Sequence, residues 1–136
     1  MIADRLVVLV VAAAVGAALY GLYALVRRRW GARVERLDID ELGLELISGC
    51  CAFVVFTTPA CQPCKSALHV VTAAAAEASA PTEVTTVDAM ERTDLALRYD
   101  VRTIPTTFLI TASGHVVERW RHVPERASVD AALALL

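Results

Sequence analysis

The chain has 136 residues, enough for one compact domain and a short appendage. Its formal net charge is −2, with 13 Lys and Arg against 15 Asp and Glu, and no basic cluster lies beyond the arginines near residue 30, so the composition argues against nucleic acid as a partner. Hydrophobic residues make up 57%, above the roughly 45–50% usual for soluble domains, and the excess sits mostly at the front.

That excess is the run from Leu6 to Val26, which contains no charged residue and no proline. At 1.5 Å per residue, its roughly 21 residues would make a helix of about 31 Å, the thickness of the hydrocarbon core of a bilayer. Tyr20, Tyr23 and Trp30 stand towards its C-terminal end, where amphipathic aromatics anchor at the membrane interface. A cleaved signal peptide would have a shorter apolar core and a small-residue cleavage site, whereas here Arg27-Arg28-Arg29-Trp30 follows directly. A buried core helix would not be apolar around its whole circumference in so small a domain. The sequence therefore predicts an N-terminal transmembrane anchor within residues 1–31, with a span at about 6–26 and a short basic linker at 27–31. Arg5, partly offset by Asp4, precedes the span, and Arg27, Arg28, Arg29 and Arg33 follow it. By the positive-inside rule, the N-terminus lies outside the cell membrane and the domain at 32–136 lies in the cytoplasm.

Beyond the linker, Arg33 to Ile39 has the hydrophobic spacing of a first strand. Asp40-Glu41-Leu42 predicts a short helix ending near Ser48-Gly49, with Asp40 as cap and Gly49 as terminator. Cys51 to Thr57 is nearly all β-branched or aromatic, the mark of a central buried strand. Cys50 and Cys51 at its start read as small buried hydrophobes, because a disulfide between neighbours would strain the peptide link. Thr58-Pro59-Ala60 turns the chain into a helix running to about Ser79, with Leu68, Val71, Ala75 and Ala78 on one face and Pro81 as the stop. Glu83 to Asp88 alternates as a strand, and Arg92 to Tyr99 reads as a helix. Thr106 to Thr111 and His115 to Trp120 flank Ala112-Ser113-Gly114, a turn signal for an antiparallel hairpin. Ser128 to Leu136 closes the chain as an amphipathic helix. The order β-α-β-α-β-α-β-β-α predicts an α/β fold, a mixed sheet covered by helices on both faces.

The chemistry concentrates at Cys61-Gln62-Pro63-Cys64, with Lys65 behind it. Two thiols at this spacing on the first turn of a helix close and reopen a small disulfide. The helix N-terminus has free N–H groups and a partial positive charge, which favour the thiolate, the nucleophile of disulfide exchange. Pro63 suits the first turn, where its missing N–H would be unpaired anyway. Gln62 and Pro63, lying between the sulfurs, tune the reduction potential. Zinc sites also use a Cys-x-x-Cys pair, but they generally need four ligands, and no second pair is spaced to complete one. Neither a metal nor another cofactor is expected. His69, on the long helix, and His115, beside the hairpin turn, read as solvated surface residues.

About forty residues on, Thr103-Ile104-Pro105-Thr106 opens an apolar run. Together with the cysteine pair, this segment resembles the thioredoxin family, from about Ala32 to the C-terminus. The resemblance implies a thioredoxin-like fold and a thiol–disulfide oxidoreductase. Cys61 would be the nucleophile and Cys64 the resolving thiol, joined as a redox-active disulfide. It also implies a cis peptide at Ile104–Pro105, with the backbone of Ile104 pairing with an extended substrate segment. Protein thiols and disulfides, a separate electron donor and the lipid bilayer are the implied partners. The chain departs from the pattern where thioredoxins have a tryptophan before the first cysteine, here Ala60, and a glycine after it, here Gln62. The family's buried aspartate falls on Val55, and its lysine partner falls near Thr86. These losses keep open a binding module with little turnover. A third option, an extracytoplasmic factor for disulfide handling or cytochrome assembly, is opposed only by the arginine bias. Arg119-Trp120-Arg121-His122 stands near a substrate-lining glycine of the family, as either a solvated loop or an element favouring acidic partners.

Overall fold

The computed structural model of the chain describes residues 1–30 and 34–136; within the first helix, the side chains at 2–4, 6, 9 and 24–30 are not described. Two compact units result, Met1–Arg33 and Val34–Leu136. The first unit is one helix, α1 (Ile2–Trp30), and its described apolar side chains are open, with Val7, Val8, Val10, Leu19 and Leu22 each more than half exposed. Among the described residues no helix is long and apolar enough to cross a membrane. Side chains are described without a break only over 10–23, fewer than the roughly 18 apolar residues that a span requires. The predicted linker at 27–31 is not a linker where it is described, because the backbone of 27–30 continues α1. The side chains of Arg27, Arg28 and Arg29, like those at both ends of the predicted span, and residues 31–33 with Arg33 lie outside the described residues.

The second unit is built on a sheet of β1 (Cys51–Thr57), β2 (Thr82–Asp88), β3 (Thr106–Thr111) and β4 (Val116–Trp120), in the order β2-β1-β3-β4. β1 runs parallel to β2 and antiparallel to β3, and β3 pairs antiparallel with β4, so the sheet is mixed. Because side chains alternate across a strand, β1 divides its residues between two cores. Ala52, Val54 and Phe56 face one layer with Leu37, Leu44, Leu95, Tyr99 and Phe108, beneath α3 (Thr93–Arg98). Cys51, Phe53 and Val55 face the other with Val71, Leu109, Trp120 and Val129, beneath α2 (Gln62–Glu77) and α4 (Arg126–Leu133). Phe53, Phe56 and Phe108 are fully buried, each worth about 1.5–3 kcal/mol of apolar transfer.

The sheet has four strands where the sequence predicted five. Arg33 itself is outside the described residues, and the segment after it makes only one antiparallel bridge, Arg36 to His115. Leu37 N–H donates to the Gly114 carbonyl at 2.8 Å and Val116 N–H to the Glu35 carbonyl at 2.9 Å. Pairing stops there because Asp38 diverts the backbone. Its N–H donates to the Tyr99 hydroxyl (2.9 Å), and its Oδ1 accepts from the N–H groups of Asp40 (3.1 Å) and Glu41 (3.3 Å). That side-chain cap closes a turn immediately. The helix predicted at 40–48 is accordingly a set of turns around Gly43, at φ +67°, and the capping residue is Asp38 rather than Asp40.

The other elements lie where the pattern placed them, with shifted ends. α2 ends at Glu77, two residues short of Ser79; it fully buries Cys64, Ala67, Val71 and Ala74, while Leu68 and Ala75 of the predicted face are half-buried against the same core. The helix predicted at 92–99 spans Thr93–Arg98, and the last helix starts earlier and ends earlier than 128–136. β4 starts at Val116 because His115 is spent on the bridge to Arg36.

Candidate functional site

One end of the sheet collects every predicted site residue. β1 finishes at Thr57, opposite Asp88 of β2, and the Ala89 N–H donates to the Thr57 carbonyl at 2.9 Å. On the other side of β1, Phe56 faces Thr106, the first residue of β3, and Thr107 faces Trp120, the last residue of β4. Three connections therefore leave from one place: the turn into Cys61, the loop ending in Ile104–Pro105, and the loop after Trp120.

Cys61 is the N-cap of α2, with extended backbone (φ −88°, ψ 105°), and its sulfur accepts the Cys64 N–H at 3.1 Å. A sulfur at this position meets the unpaired N–H groups and positive end of a 16-residue helix, and no acidic residue in the first turn opposes them. Cys64, one turn on, is 3% exposed, whereas Cys61 is half-buried. The two are joined by a disulfide. Gln62 and Pro63 lie between them with exposed side chains, and Lys65 is exposed as well. Ala60 is exposed and small, leaving the surface before Cys61 open.

The Ile104–Pro105 peptide is cis. Pro105 is buried and Ile104 half-buried. The Thr106 hydroxyl donates to the Thr103 carbonyl at 2.6 Å, and the Thr103 hydroxyl donates to the Arg121 carbonyl at 3.0 Å, tying this loop to the one after β4.

Val55 is fully buried in the apolar layer under α2, so hydrocarbon fills the place where the family has its carboxylate. Thr86, its cross-strand neighbour on β2, is exposed. Thr107, its neighbour on β3, is fully buried and its hydroxyl has no hydrogen-bond partner. Cys51 and Cys50 stand away from this assembly, at the start of β1. Cys51 is 1% exposed and its sulfur lies 3.1 Å from the Thr82 hydroxyl, whereas Cys50 is half-buried and precedes the strand, so only Cys51 is the buried hydrophobe that the sequence suggested. Among the described residues no group of three His, Cys, Asp or Glu is arranged to hold a metal.

The sequence offered Arg119 and Arg121 as a solvated loop or an element favouring acidic partners, but not their meeting with Arg102 at this end. Arg102, Arg119 and Arg121 gather around Asp100, a basic cluster besides the arginines near residue 30. Arg119 and Arg121 stand together in the sequence, but Arg102, next to the Thr103-Ile104-Pro105 motif, lies seventeen to nineteen positions before them. Burial, helped by the charge of Arg121, pushes the Arg119 guanidinium below its ordinary value.

The thioredoxin family model matches residues 46–134, well over half of the chain. Solved structures agree on the fold. A thioredoxin from Fasciola hepatica is 25% identical, covers 71% of this chain and 86% of its own, and has a TM-score of 0.55. Mitochondrial thioredoxin 3 from Saccharomyces cerevisiae, in its oxidised form, is 18% identical over 71% of this chain and 88% of its own (TM-score 0.57). A mutant thioredoxin from Halobacterium salinarum is 21% identical over 74% and 86% (TM-score 0.59). No curated protein sequence matches the chain. With the family model and the cysteine-pair helix in agreement, the chain belongs to the thioredoxin family, whose domain supports thiol–disulfide exchange and whose members generally act on protein thiols and disulfides.

Proposed function

We propose that the protein is a membrane-tethered thiol–disulfide oxidoreductase that uses the Cys61–Cys64 pair as a reductant of protein disulfides. The observation that carries the exchange chemistry is the asymmetry of the pair: Cys61 is half-buried at the tip of a long helix, and Cys64 is 3% exposed behind it. The Cys61 thiolate attacks one sulfur of the substrate disulfide, forming a Cys61–substrate disulfide and expelling the other substrate sulfur as a thiolate, which takes a proton from solvent. The Cys64 thiolate then attacks the Cys61 sulfur, closing the Cys61–Cys64 disulfide and releasing the second substrate thiol. Two electrons pass from the protein to the substrate. The backbone of Ile104, beside buried Pro105, pairs with the extended segment carrying the target disulfide. With Val55 in place of an acid, protons on the resolving thiol exchange through water.

The tether is residues 1–31, with its span at about 6–26, followed by the domain at 32–136. Supporting it are the apolar run of the sequence and the open Val and Leu side chains of α1, a surface that calls for lipid or a partner. The arginine bias supports a cytoplasmic domain, where the thiol pool and an unidentified electron donor would keep the pair reduced.

Two experiments test this. A Cys64→Ser chain should accumulate covalent complexes with substrate proteins on non-reducing gels, and these should vanish when Cys61 is also replaced. Failure to trap anything, with a parent that does not reduce insulin, would favour the binding-module reading. A phosphatase that folds only outside the membrane, fused after Leu136, should be inactive, while a fluorescent protein that matures only inside should be bright. The reverse pattern would move the domain outside and the function towards extracytoplasmic disulfide handling.

A further inference from the structure

The arginines beside the Ile104–Pro105 loop are shared out unevenly. Arg119 has a structural place: it is partly buried, its guanidinium lies 4.9 Å above the Phe108 ring, and it donates to the Asp100 carbonyl. Arg102 and Arg121 are different. They divide one carboxylate, with Arg102 Nε at Asp100 Oδ1 and Arg121 Nη2 3.6 Å from Asp100 Oδ2, yet their side chains remain 75% and 56% exposed. Among the described residues no other carboxylate lies within ion-pair distance of either. Of the nearest acids in sequence, Glu118 accepts the Arg119 backbone N–H at 3.0 Å, and Glu125 is exposed. Two guanidinium charges thus share one carboxylate, with a third, Arg119, at the backbone carbonyl of the same residue, in a protein whose overall charge is −2. The cluster is also fixed in place, through the hydrogen bond from Thr103, neighbour of Ile104, to the Arg121 carbonyl.

We propose that Arg102 and Arg121 form a docking site for carboxylate side chains of the substrate protein, selecting cysteines flanked by Asp or Glu. The proposal rests on the exchange reading above and adds a substrate class to it. A guanidinium fork offers paired N–H donors that match a carboxylate, and both forks keep donors open to solvent. Their place is set relative to Ile104: Arg102 stands two residues before it and the Arg121 backbone is tied to Thr103, so an extended segment pairing with that backbone comes within reach of the shared Asp100 site. An extended acidic segment fits this open, backbone-lined surface better than a small anion, which would need an enclosing pocket.

The test uses the full chain in a non-ionic detergent, reduced with dithiothreitol and freed of it, then mixed with symmetric disulfides of short peptides. The cysteine is flanked by Glu, Gln or Lys, and each rate is divided by that peptide's rate with dithiothreitol alone. In each reaction the peptide disulfide gains two electrons and two protons to give two thiols, and Cys61–Cys64 becomes the disulfide. At low salt the Glu peptide should react about fivefold faster than the Gln peptide, and the Lys peptide more slowly, with the preference fading by about 0.5 M salt. Arg102→Gln and Arg121→Gln should each lower the Glu-to-Gln ratio about twofold, and the double variant should abolish it. Arg126→Gln, at the far end of α2 against Glu77, should leave the ratio unchanged. Equal rates for Glu and Gln peptides, or a preference surviving the double variant, would overturn the proposal. Absence of exchange with every peptide would instead sink the exchange reading. Binding of a fluorescent Glu peptide with Ser in place of Cys to the oxidised chain then decides the docking site separately: affinity lost in the double variant upholds it, and affinity absent or unchanged refutes it.

Discussion

At the start of β1, Cys51 is sealed between the sheet and α2, its sulfur against the Thr82 hydroxyl; just past the other end, Cys61 sits half-open on the tip of that same helix. Seven residues of strand, about 20 Å, separate the two environments. The residue type is the same and the chemistry differs because of what each sulfur meets. Cys51 meets hydrocarbon and one hydroxyl. Cys61 meets the Cys64 N–H, the positive end of α2 and solvent. Position in the fold, rather than cysteine content, makes a redox site.

The sharpest way to break that comparison is to remove sulfurs one at a time. Cys61→Ser should reduce insulin-reducing activity to background, a fall of about a thousandfold. Cys50→Ser should keep activity within about twofold, and Cys51→Ala should do the same while costing about 1 kcal/mol of stability for the small cavity. Loss of turnover in Cys50→Ser would give the half-buried thiol a redox role and undo the contrast. Reactivity of the reduced parent gives the next largest effect. Brief iodoacetamide treatment at pH 7 followed by mass spectrometry should find Cys61 modified at least about tenfold ahead of Cys50, Cys51 and Cys64. Preferential labelling at Cys50 would remove the assignment.

Two substitutions without sulfur sharpen the contrast. Gly114 lies at the Cys51 end, in the hairpin turn at φ +80°, and a Cβ there would collide with the Leu37 carbonyl oxygen. Gly114→Ala should cost about 3 kcal/mol in urea unfolding, through backbone strain and loss of the Leu37 contact, while alkylation of Cys61 in the folded protein stays fast. Thr107 lies at the Cys61 end with a buried, unpaired hydroxyl. Thr107→Val should leave stability unchanged or raise it by up to about 1 kcal/mol, because the hydroxyl is desolvated without compensation. A loss beyond about 1 kcal/mol would show that the hydroxyl has a partner in solution.

Much of the fold was legible in the residues. β1 matches its apolar run end to end, and the hairpin follows from Ala112-Ser113-Gly114, because these signals are local: alternation, branching and a residue tolerant of positive φ. The expected first strand failed for a reason that pattern does not record. Asp38 can cap a turn as readily as sit in a strand, and the Tyr99 hydroxyl that takes its N–H lies 61 residues away. Boundaries of α2 moved for a similar reason. The face that a helix buries is chosen by the sheet beneath it, which buries Ala67 and Ala74 fully and leaves Leu68 and Ala75 half-buried at the edge of the same core.

The sequence by itself determined the family, the cysteine pair and its place on a helix, because thiol spacing and helix-start signals are written in consecutive residues. That Cys64 is the shielded sulfur followed from its place one turn into the helix; the tertiary structure set how far, to 3% exposed, because burial depends on the layer that closes over it. The tertiary structure alone brought Arg102 to Arg119 and Arg121 around Asp100. Charges nearly twenty positions apart become one field when antiparallel strands end side by side, and nothing in a linear pattern carries that distance.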